Sequence, residues 1–226
     1  YKFIFLKYLS KKLKQKIGLN WYLVDPKELG ISELNKNDGE NRKFLKNKTS
    51  IVDTKIFKEL LVFRDYKKRK IENFTERTHL KEYINFFNLK VSASQRLDWF
   101  NKSAIFFSDD KIIFLDPDNG LAKRNLSSRE SLKYVMIEEV KKYISLKKIV
   151  VFTQFQSFNK RHSDYLREIK SILTVNHLNI QVPIIRNRTA PNTFFITVSN
   201  KNDSMNKVLE SVIFEYQKFS SNNVEL

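Results

Sequence analysis

"KIIFLDPDNGL", residues 111–121, decides how the chain folds. Four apolar residues, Ile112 to Leu115, run into Asp116, Pro117, Asp118 and Asn119, then into Gly120, one of only four glycines. A short apolar run bounded by turn residues reads as a strand buried on both faces. Strands of that kind belong to parallel sheets, which gather ligands outside their carboxyl ends. The stretch therefore predicts an α/β sheet and places a candidate site at Asp116.

Working outward, strands and helices alternate. Residues 2–15 carry Phe3, Leu6, Leu9 and Leu13 at helical spacing, and residues 17–24 read as a strand. A polar loop over 35–43 precedes a mostly helical stretch at 53–74, and 84–91 is a second strand. Residues 92–107 open with serines suited to capping a helix whose apolar stripe includes Leu97 and Phe100. Beyond the 111–121 stretch, residues 128–144 read as one helix with Leu132, Met136, Val140 and Ile144 on one face. Residues 147–155 form another buried strand and 160–175 another helix. The C-terminal part reads as two antiparallel strands, 180–188 and 192–200, then a last helix over 204–219. No linker or repeat interrupts the pattern. The expectation is one α/β domain over 1–226, a Rossmann-like three-layer sandwich with a mainly parallel sheet and a C-terminal antiparallel strand pair.

The chain is 41% hydrophobic and 13% aromatic, enough to fill a core, and 30% charged. Cysteine is absent, which excludes thiol catalysis and zinc–cysteine sites and fits a reducing cytoplasm. No apolar run reaches the roughly 18 residues of a membrane span, so no membrane association is expected. The net charge of +17 predicts a polyanionic partner, nucleic acid first. Codon bias toward lysine is the bland alternative. Against it, basic residues recur in clusters: Lys67 to Lys70, Lys141-Lys142, Lys147-Lys148, Lys160-Arg161, and Arg186 with Arg188. The last two alternate along a strand, face the same way and suit a phosphate clamp. Residues 153–162 interleave Lys160 and Arg161 with Phe155 and Phe158, a pattern suited to tracking a phosphate backbone while stacking bases. His162 opens the following helix, and neither His79 nor His177 has an evident partner in the sequence.

A strand ending in Asp-Pro, followed by helix, strand, helix and a terminal hairpin, resembles the second half of the class I methyltransferases. "FLDPDNG" itself is similar to the signature of a bacterial and phage family associated with the partner proteins of three-cysteine-motif proteins. "GLNWYL" (18–23), "NDG" (37–39), "VFRD" (62–65), "RLDWF" (96–100), "KYV" (133–135) and "RNRTAPNTFF" (186–195) add to that likeness. The resemblance implies a site at which Asp116 and Asp118 orient a target amine or hydroxyl with help from Asn119. It implies S-adenosylmethionine as methyl donor. The ribose-holding acid would be Asp25, after the strand at 17–24. Asp118 and Asn119 depart from the proline and aromatic of the amino-methylating motif. None of the four glycines forms a GxG, as though a first strand and its glycine-rich loop preceded Tyr1.

Two alternatives stand beside this. Pro117-Asp118 with Glu139-Val140-Lys141 matches a loose nuclease pattern in which acids hold a divalent metal. That pattern needs Glu139 and Lys141 on a strand, whereas the periodicity puts them on a helix, with Glu138 and Lys142 as a surface pair. The other alternative is a catalytically inert subunit that binds nucleic acid or protein.

Overall fold

The structure, a computed structural model, describes residues 2–30, 53–62, 71–188, 192–220 and 224–226. The loop at 35–43 and the basic run 67–70 lie outside the described residues. Helix α1 (Lys2–Leu13) leads into β1 (Ile17–Asn20), β2 (Leu23–Val24) and the short α2 (Pro26–Leu29). Helices α3 (Thr54–Val62) and α4 (Ile71–Arg77) and a 3-10 turn at His79–Glu82 precede β3 (Ile84–Phe87) and β4 (Lys90–Val91). Then come α5 (Arg96–Phe106), β5 (Ile112–Leu115), α6 (Ser128–Ser131), α7 (Ile137–Ser145) and β6 (Ile149–Phe155). Helix α8 (His162–Val175), β7 (Ile185–Asn187), β8 (Thr193–Val198), α9 (Met205–Phe219) and β9 (Val224–Glu225) complete the order.

Seven strands form one sheet in the order β3-β1-β5-β6-β8-β7-β9. The first four run parallel, while β8 lies antiparallel between β6 and β7. This is the expected Rossmann-like α/β architecture. Alternate residues of each buried strand face opposite layers: Ile112 and Phe114 pack with α1 and α9, Ile113 and Leu115 with α5, α7 and α8. On the first face, Phe5 of α1 stacks on Phe195 and touches Tyr216. Gly18 of β1 leaves room for the Phe107 ring, which would stand 2.6 Å from an added Cβ. No helix among the described residues is long and apolar enough to cross a membrane.

Four local readings change. Residues 17–24 and 84–91 are each two short strands, and β2 pairs with β4 in a separate small sheet. The break after β1 falls at Tyr22, whose φ of 52° leaves the extended region while its ring is buried against Trp99. Helix α5 starts behind Gln95 with no side-chain cap; Ser92 and Ser94 face each other instead, and Leu97 is 74% exposed. The stretch 128–144 is two helices rather than one, because Met136 is extended and Glu139 accepts its N–H, capping a new start. Between them, Leu132 and Val135 are buried. Glu138 pairs with Lys141 at 3.0 Å, not with Lys142.

At the amino edge of the sheet, Asp110 is buried and accepts from Asn85 Nδ2 at 2.8 Å. Burial raises its pKa, and the Asn85 bond only partly opposes this. The folded state thus holds the proton more tightly than the unfolded chain, so this residue's contribution to stability falls as pH rises through the raised value. Asp110→Asn, which keeps an acceptor for Asn85, should stabilise the protein at neutral pH. It should make little difference below the ordinary aspartate value of about 3.9, as urea midpoints at the two pH values will show.

Candidate functional site

The chain leaves β1 for β3 on one side and later crosses to β5 on the other, so the order reverses beside β1. In open α/β sheets that reversal opens a crevice at the carboxyl edge. Asn20 ends β1 there, and the Asp116 N–H donates to its carbonyl at 2.9 Å. The Asp116 carboxylate has two partners. Oδ1 accepts from Thr153 Oγ1 of β6 at 3.1 Å, and Oδ2 pairs with the Lys2 ammonium. That ammonium also lies over the Phe3 and Trp21 rings, 4.9 and 4.7 Å from their centroids. Trp21 in turn stacks on Phe86 with planes 11° apart.

The turn after Asp116 is held from below. Pro117 and Gly120 are buried while Asp118 and Asn119 are exposed at the tip. Gly120 has a φ of 83°, and an added Cβ would stand 2.4 Å from the Gln154 side chain. Gln154 itself is buried; it accepts from Leu121 N–H at 2.8 Å and donates to the Tyr165 hydroxyl. The loop also bonds to the segment between α6 and α7: Asn119 N–H to Lys133 O, Val135 N–H to Gly120 O, and Ala122 N–H to Val135 O, each 2.9 Å.

That segment is fixed by Arg96. Its guanidinium grips the buried Glu139 carboxylate at 2.7 and 3.0 Å and donates to the Ser131 and Tyr134 carbonyls, both at 2.7 Å. The Tyr22 hydroxyl donates to the same carboxylate at 2.8 Å. Burial alone would lower the arginine's pKa, but Glu139 outweighs it and the net shift is upward. Burial, then the carboxylate, pushes Tyr22 well above the usual phenol value. Glu139 is therefore engaged inside the protein, on a helix. Among the described residues no group of three or more histidine, cysteine, aspartate or glutamate side chains could hold a metal.

Of the remaining sequence-selected residues, some share the Asp116 edge. Because β7 runs parallel to β6, Arg188 just past β7 and the 156–161 loop past β6 emerge on that same side. Lys160 pairs with Glu168 at 2.9 Å and Arg161 with Asp164 at 2.9 Å. Arg186 is turned to Glu225 at 2.6 Å and Asn192 at 3.3 Å, so it differs from the exposed Arg188. Asp25 caps α2 through the Lys27 N–H and pairs with Lys90 at 3.0 Å, which lowers its pKa. His162 packs edge-on against Phe194 at 5.6 Å. His79 is buried and bonded to Glu59 at 2.7 Å. Lys2 and Trp21 were not selected from the sequence, whereas Thr153 with Gln154, near the end of β6, stands where the strand pattern sets the site, beside Asp116 at the end of β5.

Comparison with family models, with curated proteins and with solved structures returned no match to this chain.

Removing the Arg96 charge strands Glu139 and frees two carbonyls. Breaking a buried pair from one side typically costs about 3–5 kcal/mol. Arg96→Met should lose stability on that scale, and amide hydrogen exchange at residues 119–122 should accelerate more than that of the β5 core.

Proposed function

We propose that the chain is a nucleic-acid-associated protein of methyltransferase-like build, receiving an amino group of its substrate at Asp116. One observation carries the reading. A carboxylate at the carboxyl edge, beside the reversal of strand order, already holds an ammonium group, that of Lys2, between aromatic rings. The acceptor oxygens and the indole face are what a target amine needs. The exposed Asp118 and Asn119 stand at the tip of the same turn, where they can meet a substrate from solvent. The net charge of +17 supplies the attraction to phosphate.

S-adenosylmethionine is the donor this reading implies, and the described residues do not fit it as the resemblance expects. β1, the strand at the reversal, leaves through Asn20, Trp21 and Tyr22 without a glycine, and Tyr22 buries its ring against Trp99. Asp25 is engaged by Lys27 and Lys90 rather than open to a ribose. These two contacts favour a second reading, a catalytically inert nucleic-acid-binding subunit on the same fold. The engagement of Glu139 by Arg96 removes support from the metal-nuclease alternative.

Melting curves with millimolar S-adenosylmethionine or its demethylated product separate the first two. A methyltransferase gains stability as ligand exceeds Kd, about 2.7 kcal/mol at a hundredfold excess. It should also label nucleic acid from a methyl-labelled donor and lose that activity in Asp116→Asn. If neither ligand shifts the melt and nucleic acid still binds, the enzyme reading fails and the inert one stands.

A further inference from the structure

Phe158 is 82% exposed, the most exposed large apolar side chain among the described residues. An isolated exposed apolar residue needs no explanation. This one sits in a loop of polar and basic residues, Gln156 to Arg161, at the carboxyl edge. The loop is anchored: Gln156 N–H donates to Asn192 O at 3.0 Å, and Gln156 Oε1 accepts from both Asn192 nitrogens at 3.0 and 2.6 Å. Phe158 is thus presented from a fixed base.

The charge around it is not self-neutralised. Asp164 is shared by Arg161 and Arg167 at 2.9 and 3.0 Å, and Glu168 by Lys160 and Lys123 at 2.9 and 3.5 Å. Two carboxylates thus serve four cations, leaving a positive excess on the first turns of α8 beside the ring. Across the sheet, Phe155, Thr193 and Asn187 are level, so Arg188 leaves β7 two strands away from the point where the Phe158 loop begins. Two strand spacings are roughly 10 Å. Arg188 is exposed, and no ion pair among the described residues engages it.

An exposed ring between unneutralised cations matches single-stranded nucleic acid, whose bases are free to stack while its phosphates follow the charge. A duplex hides its base faces and would meet only the cations. We infer that the edge formed by Phe158, Lys160, Arg161 and Arg188 is a single-strand binding surface, with Phe158 as the base-stacking platform and Arg188 as a phosphate contact. The inference rests on the nucleic-acid part of the proposed function and names its substrate class; it does not need the methyl donor.

Fluorescence anisotropy on labelled oligodeoxythymidylate of about 12 nucleotides, and on a duplex of equal length, tests it over a salt series. The single strand should bind tighter than the duplex. Phe158→Ala should weaken it roughly ten-fold with an unchanged salt slope, and Phe158→Trp should restore it. Arg188→Gln should flatten the slope by about 0.7. Binding of both forms with no loss in Phe158→Ala overturns the stacking platform and leaves only a phosphate track. A loss in Phe158→Ala that Trp does not repair overturns it as well. If neither oligonucleotide binds at low salt, or polyglutamate binds equally well, nucleic-acid association itself fails. A melt shifted by S-adenosylmethionine is independent of all three.

Discussion

The bidentate grip of Arg96 on Glu139 is the constraint on which the site end of the molecule depends. A carboxylate buried this deeply needs a full set of donors, because desolvating it without them is costly. Glu139 has the guanidinium twice, the Tyr22 hydroxyl and the Met136 amide. Each donor comes from a different element: α5, the exit of β1, and the residue before α7. One buried charge therefore fixes three pieces of backbone at once. The same guanidinium holds the Ser131 and Tyr134 carbonyls, and residues 133–135 hold the loop behind Asp116. Positioning passes from a buried ion pair, through backbone bonds, to an exposed acidic tip.

A second division of labour concerns the cations. Those facing the interior have fixed partners: Arg96 with Glu139, Lys7 with Asp53 at 2.6 Å, Lys111 with Asp203 at 2.7 Å. These hold elements together and contribute little long-range field. Those along α8 and beyond β7 share acids or have none. Net charge alone does not distinguish a ligand surface from codon bias. On the proposed reading, the cations that share acids along α8 and the exposed Arg188 supply the phosphate contacts, and the paired interior cations take no part.

Much of the fold was legible because it rests on local periodicity. Ile112 to Leu115 and Ile149 to Phe152 are short runs of consecutive apolar residues, and β7 and β8 carry the pattern of an antiparallel pair. The breaks were less legible. Residues 128–144 keep a helical apolar stripe, yet Met136 is extended, because Leu132 and Val135 are buried and residues 133–135 bond to a loop twelve or more positions earlier. Tertiary hydrogen bonds overrode local propensity. The site was half visible. Asp116 and the exposed tip follow from a strand ending in a turn, but the Lys2 partner is 114 residues away and Arg186's partner Glu225 is 39 away. Nothing in the neighbourhood of either residue encodes such pairs.

The aromatic surroundings of Lys2 explain why the ammonium rests at Asp116 rather than in water. Lysine is strongly hydrated, and an exposed pair with a carboxylate gains little. Here both side chains are less than a quarter exposed, and the ammonium lies over two rings whose faces are electron-rich. Phe3 and Trp21 pack in turn on Phe74 and Phe86, so the rings under the ammonium belong to one aromatic cluster. On the proposed reading, a substrate amine at Asp116 would compete with Lys2 for the same oxygen, and the lysine would set the affinity that a substrate must exceed.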